Sequence, residues 1–176
     1  RSALEMATAI GKASEDGRRF QAKAAYDEQN LYVHFEVESA APLVNVFPDD
    51  QLIFKGGNLL DIQIGTDAGA DPERKKPVPG DVRLLVSRNK KGKTLAALYR
   101  PKVKGFEGKP IVLKSPTGQE PFDKIEMVDS VKLQYRPHRL GGGFTATVTI
   151  PNKLIGFQPK PGQRLQMDLG YVFGNK

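Results

Sequence analysis

Residues 20–37 read FQAKAAYDEQNLYVHFEV. The second half alternates. Leu31, Val33, Phe35 and Val37 fall on one side, and Tyr32, His34 and Glu36 on the other, the period of two that marks a half-buried strand. Phe20 to Tyr26 supplies an antiparallel partner, and Asp27-Glu28-Gln29-Asn30 separates the two. Asp and Asn suit such a turn because their side chains bond nearby backbone and tolerate left-handed φ. The stretch predicts a β-hairpin.

The same pattern recurs along the chain. Leu60, Ile62 and Ile64 oppose Asp61 and Gln63. Val82 to Val86 and Leu95 to Tyr99 predict a second hairpin, with Gly92 supplying positive φ at its tip. Ile111 to Lys114, Ile125 to Val128 and Val131 to Tyr135 are shorter candidates. In Phe144 to Ile150 the apolar Phe144, Ala146, Val148 and Ile150 oppose Thr145, Thr147 and Thr149. Leu165 to Phe173 closes the series. Eighteen glycines and thirteen prolines punctuate the 176 residues, and no amphipathic helical run survives between them. Ser2 to Lys12 has helical propensity, but an edge strand around Ala7 to Ala13 is expected, with a turn at Asp16-Gly17. Pro151 to Leu154 suits one helical turn leading to Gly156. Two loops, Asp67 to Gly80 and Pro101 to Asp123, are long, and long loops on a rigid sheet tend to carry binding function. The expectation is a single all-β domain over 1–176, an antiparallel β-sandwich with jelly-roll or immunoglobulin-like layers and long loops, cut from a longer protein.

The chain has no cysteine, which excludes disulfides, thiolate metal sites and cysteine catalysis. Its formal charge is +7, with 27 Lys and Arg against 20 Asp and Glu. The cations are scattered, with no long basic run, which reads as a solvated surface and not as a nucleic-acid interface. No apolar stretch approaches the roughly 18 residues of a membrane span, so no membrane insertion is expected.

Several motifs carry a family resemblance. Ala25-Tyr26-Asp27-Glu28-Gln29-Asn30-Leu31-Tyr32-Val33 resembles the hairpin of family 9 carbohydrate-binding modules and of DOMON-like sandwiches. Phe54-Lys55-Gly56-Gly57-Asn58-Leu59-Leu60-Asp61-Ile62-Gln63-Ile64 looks like the strand that follows in that family. The Asp81 to Val86 strand and the Tyr171 to Gly174 ending fit its order. Ile150-Pro151-Asn152-Lys153-Leu154-Ile155-Gly156 resembles its closing turn. The resemblance covers most of the chain from about Phe20 onward, and its motifs specify fold more than ligand. It implies a non-catalytic module of a secreted or surface bacterial protein, hence an extracytoplasmic location. Its partners would be a polysaccharide or glycan and the other domains of the same polypeptide. Members bind sugars between aromatic rings with calcium bracing loops; others bind haem through methionine with histidine or lysine.

The chain has no tryptophan, so a stacking platform has to be Tyr or Phe. Tyr32, Phe47, Tyr99, Phe106 and Phe122 lie on outward faces or beside loops, and Tyr99-Arg100 at a strand exit combines stacking with hydrogen-bond donation. Asn45, Lys55, Asn58, Asp61 and Arg83 fall near the two matched strands. A carboxylate beside a guanidinium grips vicinal hydroxyls; the same residues also read as a solvated ion pair. Asp67, Asp71 and Glu73 alternate around Gly69 as oxygen donors for calcium, though Arg74, Lys75 and Lys76 follow at once, and Asp49-Asp50 is a lesser candidate. For haem the chain offers His34, His138, Met6, Met127 and Met167, with no CxxCH. No GxSxG or HExxH appears, and Gly141-Gly142-Gly143 precedes a strand, so it lacks the helix N-terminus of a phosphate cradle. No catalytic residues are therefore assigned and no enzyme is expected. The expected ligand residues are Tyr99, Arg100, Tyr32, Asn58, Asp61 and Arg83. The alternatives are a b-type haem electron-transfer domain and a structural or protein-interaction sandwich with no small ligand.

Overall fold

The stretch at residues 20–37 folds as its alternation predicts. In the computed structural model, which describes residues 6–10, 19–115, 118–160 and 166–174, β1 (Met6–Ile10) pairs with β2 (Arg19–Tyr26), and β2 with β3 (Asn30–Glu38), all antiparallel. The Asp27 side chain builds the turn. Its Oδ1 accepts from the backbone N–H of Gln29 at 2.8 Å and of Asn30 at 2.7 Å, and its Oδ2 accepts from the Tyr32 hydroxyl at 2.8 Å. No non-glycine residue among those described needs positive φ, so the turn uses the hydrogen bonds of Asp27 and not a left-handed conformation.

Next come β4 (Leu59–Gly65), β5 (Asp81–Arg88), β6 (Thr94–Arg100), β7 (Ile111–Ser115), β8 (Gly118–Phe122), β9 (Lys124–Met127), β10 (Lys132–Pro137) and β11 (Gly143–Pro151). They are followed by α1 (Asn152–Ile155), ended by Gly156 in the left-handed region, and by β12 (Gln166–Val172). One five-stranded sheet has the order β1-β2-β3-β11-β10 and the other β12-β4-β5-β6-β9, while β7 and β8 form a separate two-stranded hairpin. The architecture is the expected all-β, antiparallel sandwich. Leu165, the rest of the Ala7 to Ala13 segment and the Asp16-Gly17 turn lie outside the described residues. Two elements are additions: β8, inside the expected Pro101 to Asp123 loop, and a 3-10 segment at Asp50–Lys55 capped by Asp49, whose Oδ1 accepts from Gln51 N at 2.9 Å.

The shared core lies between the sheets. Val33, Phe35, Val37 and Val148 from the first sheet and Leu60, Ile62, Leu84 and Leu98 from the second are all fully buried in one cluster. Each large aliphatic side chain removed from water contributes about 1.5–3 kcal/mol. The second sheet is also apolar on its far face. There Leu59, Leu85, Ala97 and Tyr99 form a second cluster with Ile53, Phe122 and Ile125. The 3-10 segment and the β7–β8 hairpin are the cover over that face. Two buried asparagines tie the 42–45 segment to the cover and to the start of β4. Asn45 Nδ2 donates to Ile53 O at 2.6 Å, and Asn58 Nδ2 donates to Pro42 O at 2.7 Å.

Hydrogen bonds from the Tyr32 hydroxyl and then from two backbone N–H groups hold the Asp27 carboxyl below the usual carboxylate range. Such bonds to the charged form stabilise the fold above the unfolded pKa of about 3.9, and the contribution is lost as pH falls through the lower folded pKa. Asp27→Ala is therefore expected to lower the unfolding free energy by roughly 1 kcal/mol at pH 7, a loss on the scale of a helix cap. Urea denaturation of both proteins across pH 2–7 checks this (about 2 and about 7 bracket the titration); the two curves should converge in acid.

Candidate functional site

Strand register places a row of side chains on the far face of the second sheet. Asp168 pairs with Gln63, Gln63 with Arg83, and Arg83 with Tyr99. Where the cover ends, this face becomes the floor of an open groove of about 1130 Å³, ample for a small ligand. The segment 66–80 forms one wall. It is stapled to β12: Arg74 Nη1 donates to Gln166 Oε1 at 2.9 Å, and Gln166 Nε2 donates to Pro72 O at 2.7 Å. Arg74 also pairs with Asp81 at 2.5 Å. The β7–β8 hairpin forms the opposite wall, with Leu113, Pro121 and Phe122 lining the groove.

Asp61 and Arg83 stand together, as their strands predict. Arg83 Nε lies 3.0 Å and 3.1 Å from the two Asp61 oxygens, and Nη2 donates to Oδ2 at 2.5 Å. The Asp61 side chain is 9% exposed and that of Arg83 28%. Loss of water pushes the Asp61 carboxyl above its ordinary range, and Arg83 only partly offsets this. Burial works against the Arg83 cation, but the hydrogen bonds and charge of Asp61 outweigh it, so Arg83 is held protonated. The arrangement is a fixed donor fork on a rigid strand, with the buried carboxylate behind it.

Four expected ligand residues have other employment. Tyr99 is not an open platform. It is 1% exposed, its ring meets Phe122 edge-on at 5.3 Å, and its hydroxyl donates to Gln51 O at 2.8 Å. Burial raises its pKa well above the ordinary phenol value. The cover over the second apolar cluster hides it, which the local pattern does not show. Arg100 points to the other face of β6, as alternation demands of a neighbour of Tyr99; its Nη2 donates to Leu154 O at 2.6 Å and its Nε to Glu126 at 3.3 Å. Asn58 is buried, donating to Pro42 O while its Oδ1 accepts from Gly174 N at 2.8 Å. Tyr32 lies on the outer face of the first sheet and is tied to Asp27.

The acidic loop does not gather its carboxylates. Asp67 Oδ1 accepts from Gly69 N and Asp71 Oδ1 from Glu73 N, both at 2.9 Å, so two of the three side chains cap their own turns. Among the described residues no group of three His, Asp or Glu side chains is placed to hold a metal ion. His34 Nδ1 lies 2.9 Å from Thr147 Oγ1 on the first sheet's outer face, whereas Met167 packs on the shared core from the second sheet. No described helix is long and apolar enough to cross a membrane.

Gln63, Asp168, Gln166 and Glu120 are groove residues that sequence reasoning did not single out as ligands. For Gln63 and Asp168 the signal was alternation, since each opposes apolar neighbours on its strand. Their convergence was hidden because β12 and β4 pair across about a hundred residues of chain. No family model, no curated protein and no solved structure matches this chain.

Arg83→Ala is expected to cost about 2 kcal/mol at neutral pH. That is less than the ~3–5 kcal/mol of a fully buried pair, because Arg83 is partly exposed. The unpaired Asp61 then has a folded pKa raised further above its unfolded value. Its charged form opposes folding, so the deficit is largest above the folded pKa and shrinks as pH falls through it. Denaturation curves at pH 7 and near pH 4 (close to the unfolded value of about 3.9) check the sign; a deficit that grows in acid contradicts this account.

Proposed function

We propose that this chain is a non-catalytic saccharide-binding module of a secreted or surface protein, and that its ligand lies in the groove on the far face of the second sheet. One observation carries the reading: a floor of polar side chains fixed on strands, Gln63, Arg83 and Asp168, set beside the apolar side chains of the β7–β8 wall. A sugar ring presents both surfaces, hydroxyls at its edge and C–H groups on its faces. Amide, carboxylate and guanidinium groups satisfy the hydroxyls as donors and acceptors. Phe54, Leu113 and Pro121 offer apolar surface to the C–H faces. Strands hold such groups more rigidly than loops do, which limits the ordering cost of binding. The motif resemblance to family 9 carbohydrate-binding modules points the same way. In this reading Asp61 positions Arg83 and Tyr99 supports the floor; neither stacks on sugar.

A protein-interaction sandwich with no small ligand is the second reading. What favours it is that Tyr99, Arg100, Asn58 and Tyr32 are spent on internal hydrogen bonds.

Affinity electrophoresis against soluble polysaccharides, with calcium and with a chelator, separates the two. Retardation by one glycan class is expected. Gln63→Ala and Asp168→Ala should each weaken it about tenfold, the equivalent of one lost hydrogen bond of about 1.4 kcal/mol. His34→Ala, on the opposite sheet, should change nothing. Absence of retardation by every polysaccharide in both buffers overturns the saccharide reading. Retardation only with calcium adds the ion to the site.

A further inference from the structure

Arg83 has more donor capacity than Asp61 uses. A guanidinium carries five N–H groups. Asp61 engages Nε and Nη2. Nη1 makes no hydrogen bond among the described residues. Its nearest carboxylate is Glu120 Oε2 at 3.9 Å, beyond hydrogen-bond reach, on a side chain 69% exposed. A contact that long and that open is worth little. Glu120 sits on the β7–β8 wall and brings a carboxylate towards the free edge of the fork without closing on it.

The cations around the groove are not all spent. Arg74 is consumed by Asp81, and Lys102 Nζ lies 3.7 Å from Asp123. Lys75 and Lys76 line the groove and form no ion pair among the described residues. Asp168 also lines it and repels anions, but it is two strands from Arg83 through Gln63, about 9–10 Å at the usual strand spacing. That separation leaves an acceptor-rich end suited to hydroxyls and a donor-rich end at Arg83. Asp61 offsets the net charge of Arg83, so the fork supplies directed donors while Lys75 and Lys76 supply the attraction.

We infer that the groove selects an acidic saccharide, a uronate-containing glycan whose carboxylate docks on the free Nη1 edge of Arg83 in the place that Glu120 loosely holds. This rests on the saccharide reading and narrows it to a ligand class. Glu120 acts as a displaceable stand-in, and Arg83 as the binding residue that Asp61 positions.

Calorimetric titration tests it with three probes: oligogalacturonate, neutral xylo-oligosaccharide and dextran sulfate. Oligogalacturonate is expected to bind at least tenfold more tightly than the neutral probe. Arg83→Lys keeps the charge and loses the fork; it should abolish that preference. Glu120→Gln alters only an exposed side chain, so folding is not at issue, and should raise the preference for the uronate over the neutral probe about threefold. If the neutral probe binds as well as the uronate, the saccharide reading stands and this inference falls. If dextran sulfate binds as tightly and Glu120→Gln strengthens both anions alike, general charge attraction replaces the fork and the inference falls. If none of the three probes binds, this inference falls, and the saccharide reading falls with it only where electrophoresis also shows no retardation by any polysaccharide.

Discussion

Burial of both faces of the second sheet is the constraint on which the rest of the structure depends. A two-layer sandwich needs one apolar face per sheet. The first sheet keeps to this: its far face carries Lys23, His34, Glu36 and the threonines of β11. The second does not. Leu84, Leu85 and Val86 are all fully buried, so β5 is covered on both sides. Leu59, Ala97 and Tyr99 extend the second apolar surface onto its neighbours. Left bare, that surface would be an exposed patch prone to association. The 3-10 segment and the β7–β8 hairpin cover it, and the groove exists because the cover stops where the sheet turns polar, at Gln63, Arg83 and Asp168.

At that boundary, polar chemistry operates beside an apolar cluster. The Asp61–Arg83 pair lies partly within the low-dielectric region. Desolvation there is costly and loss of a partner more so, which fixes the geometry tightly. The Arg19–Glu38 pair on the first sheet makes the contrast. Its side chains are 62% and 45% exposed, and water screens it to little value. The same ion pair chemistry is thus a positioning device on one face and surface decoration on the other. Asn45 and Asn58 add side-chain ties: Asn45 donates to Ile53 O in the 3-10 segment and Asn58 to Pro42 O, which join the 42–45 segment to the cover and to the start of β4.

The amino-acid sequence by itself determined the strands, because alternation is local. A strand with a period of two announces which side faces a core, and Leu31 to Val37, Leu60 to Ile64 and Phe144 to Ile150 did so without reference to their partners. The Asp27 turn, Gly92 and the Pro151 to Gly156 helical turn were legible for the same reason, since their chemistry is complete within a few residues. The closeness of Asp61 to Arg83 was legible in part, from two neighbouring strands facing one way. Tertiary structure alone decided the rest. β4 joins β12, and β3 joins β11, across long stretches of chain, so the register that lines up Asp168, Gln63, Arg83 and Tyr99 has no local signature. Nor does the fate of a polar side chain. Tyr99, Asn58, Arg100 and Tyr32 carry donors and acceptors that suit a ligand, and whether these meet a ligand or a backbone carbonyl depends on what folds over them. The physical reason is that pattern records which way a side chain points, while only packing records what it meets there.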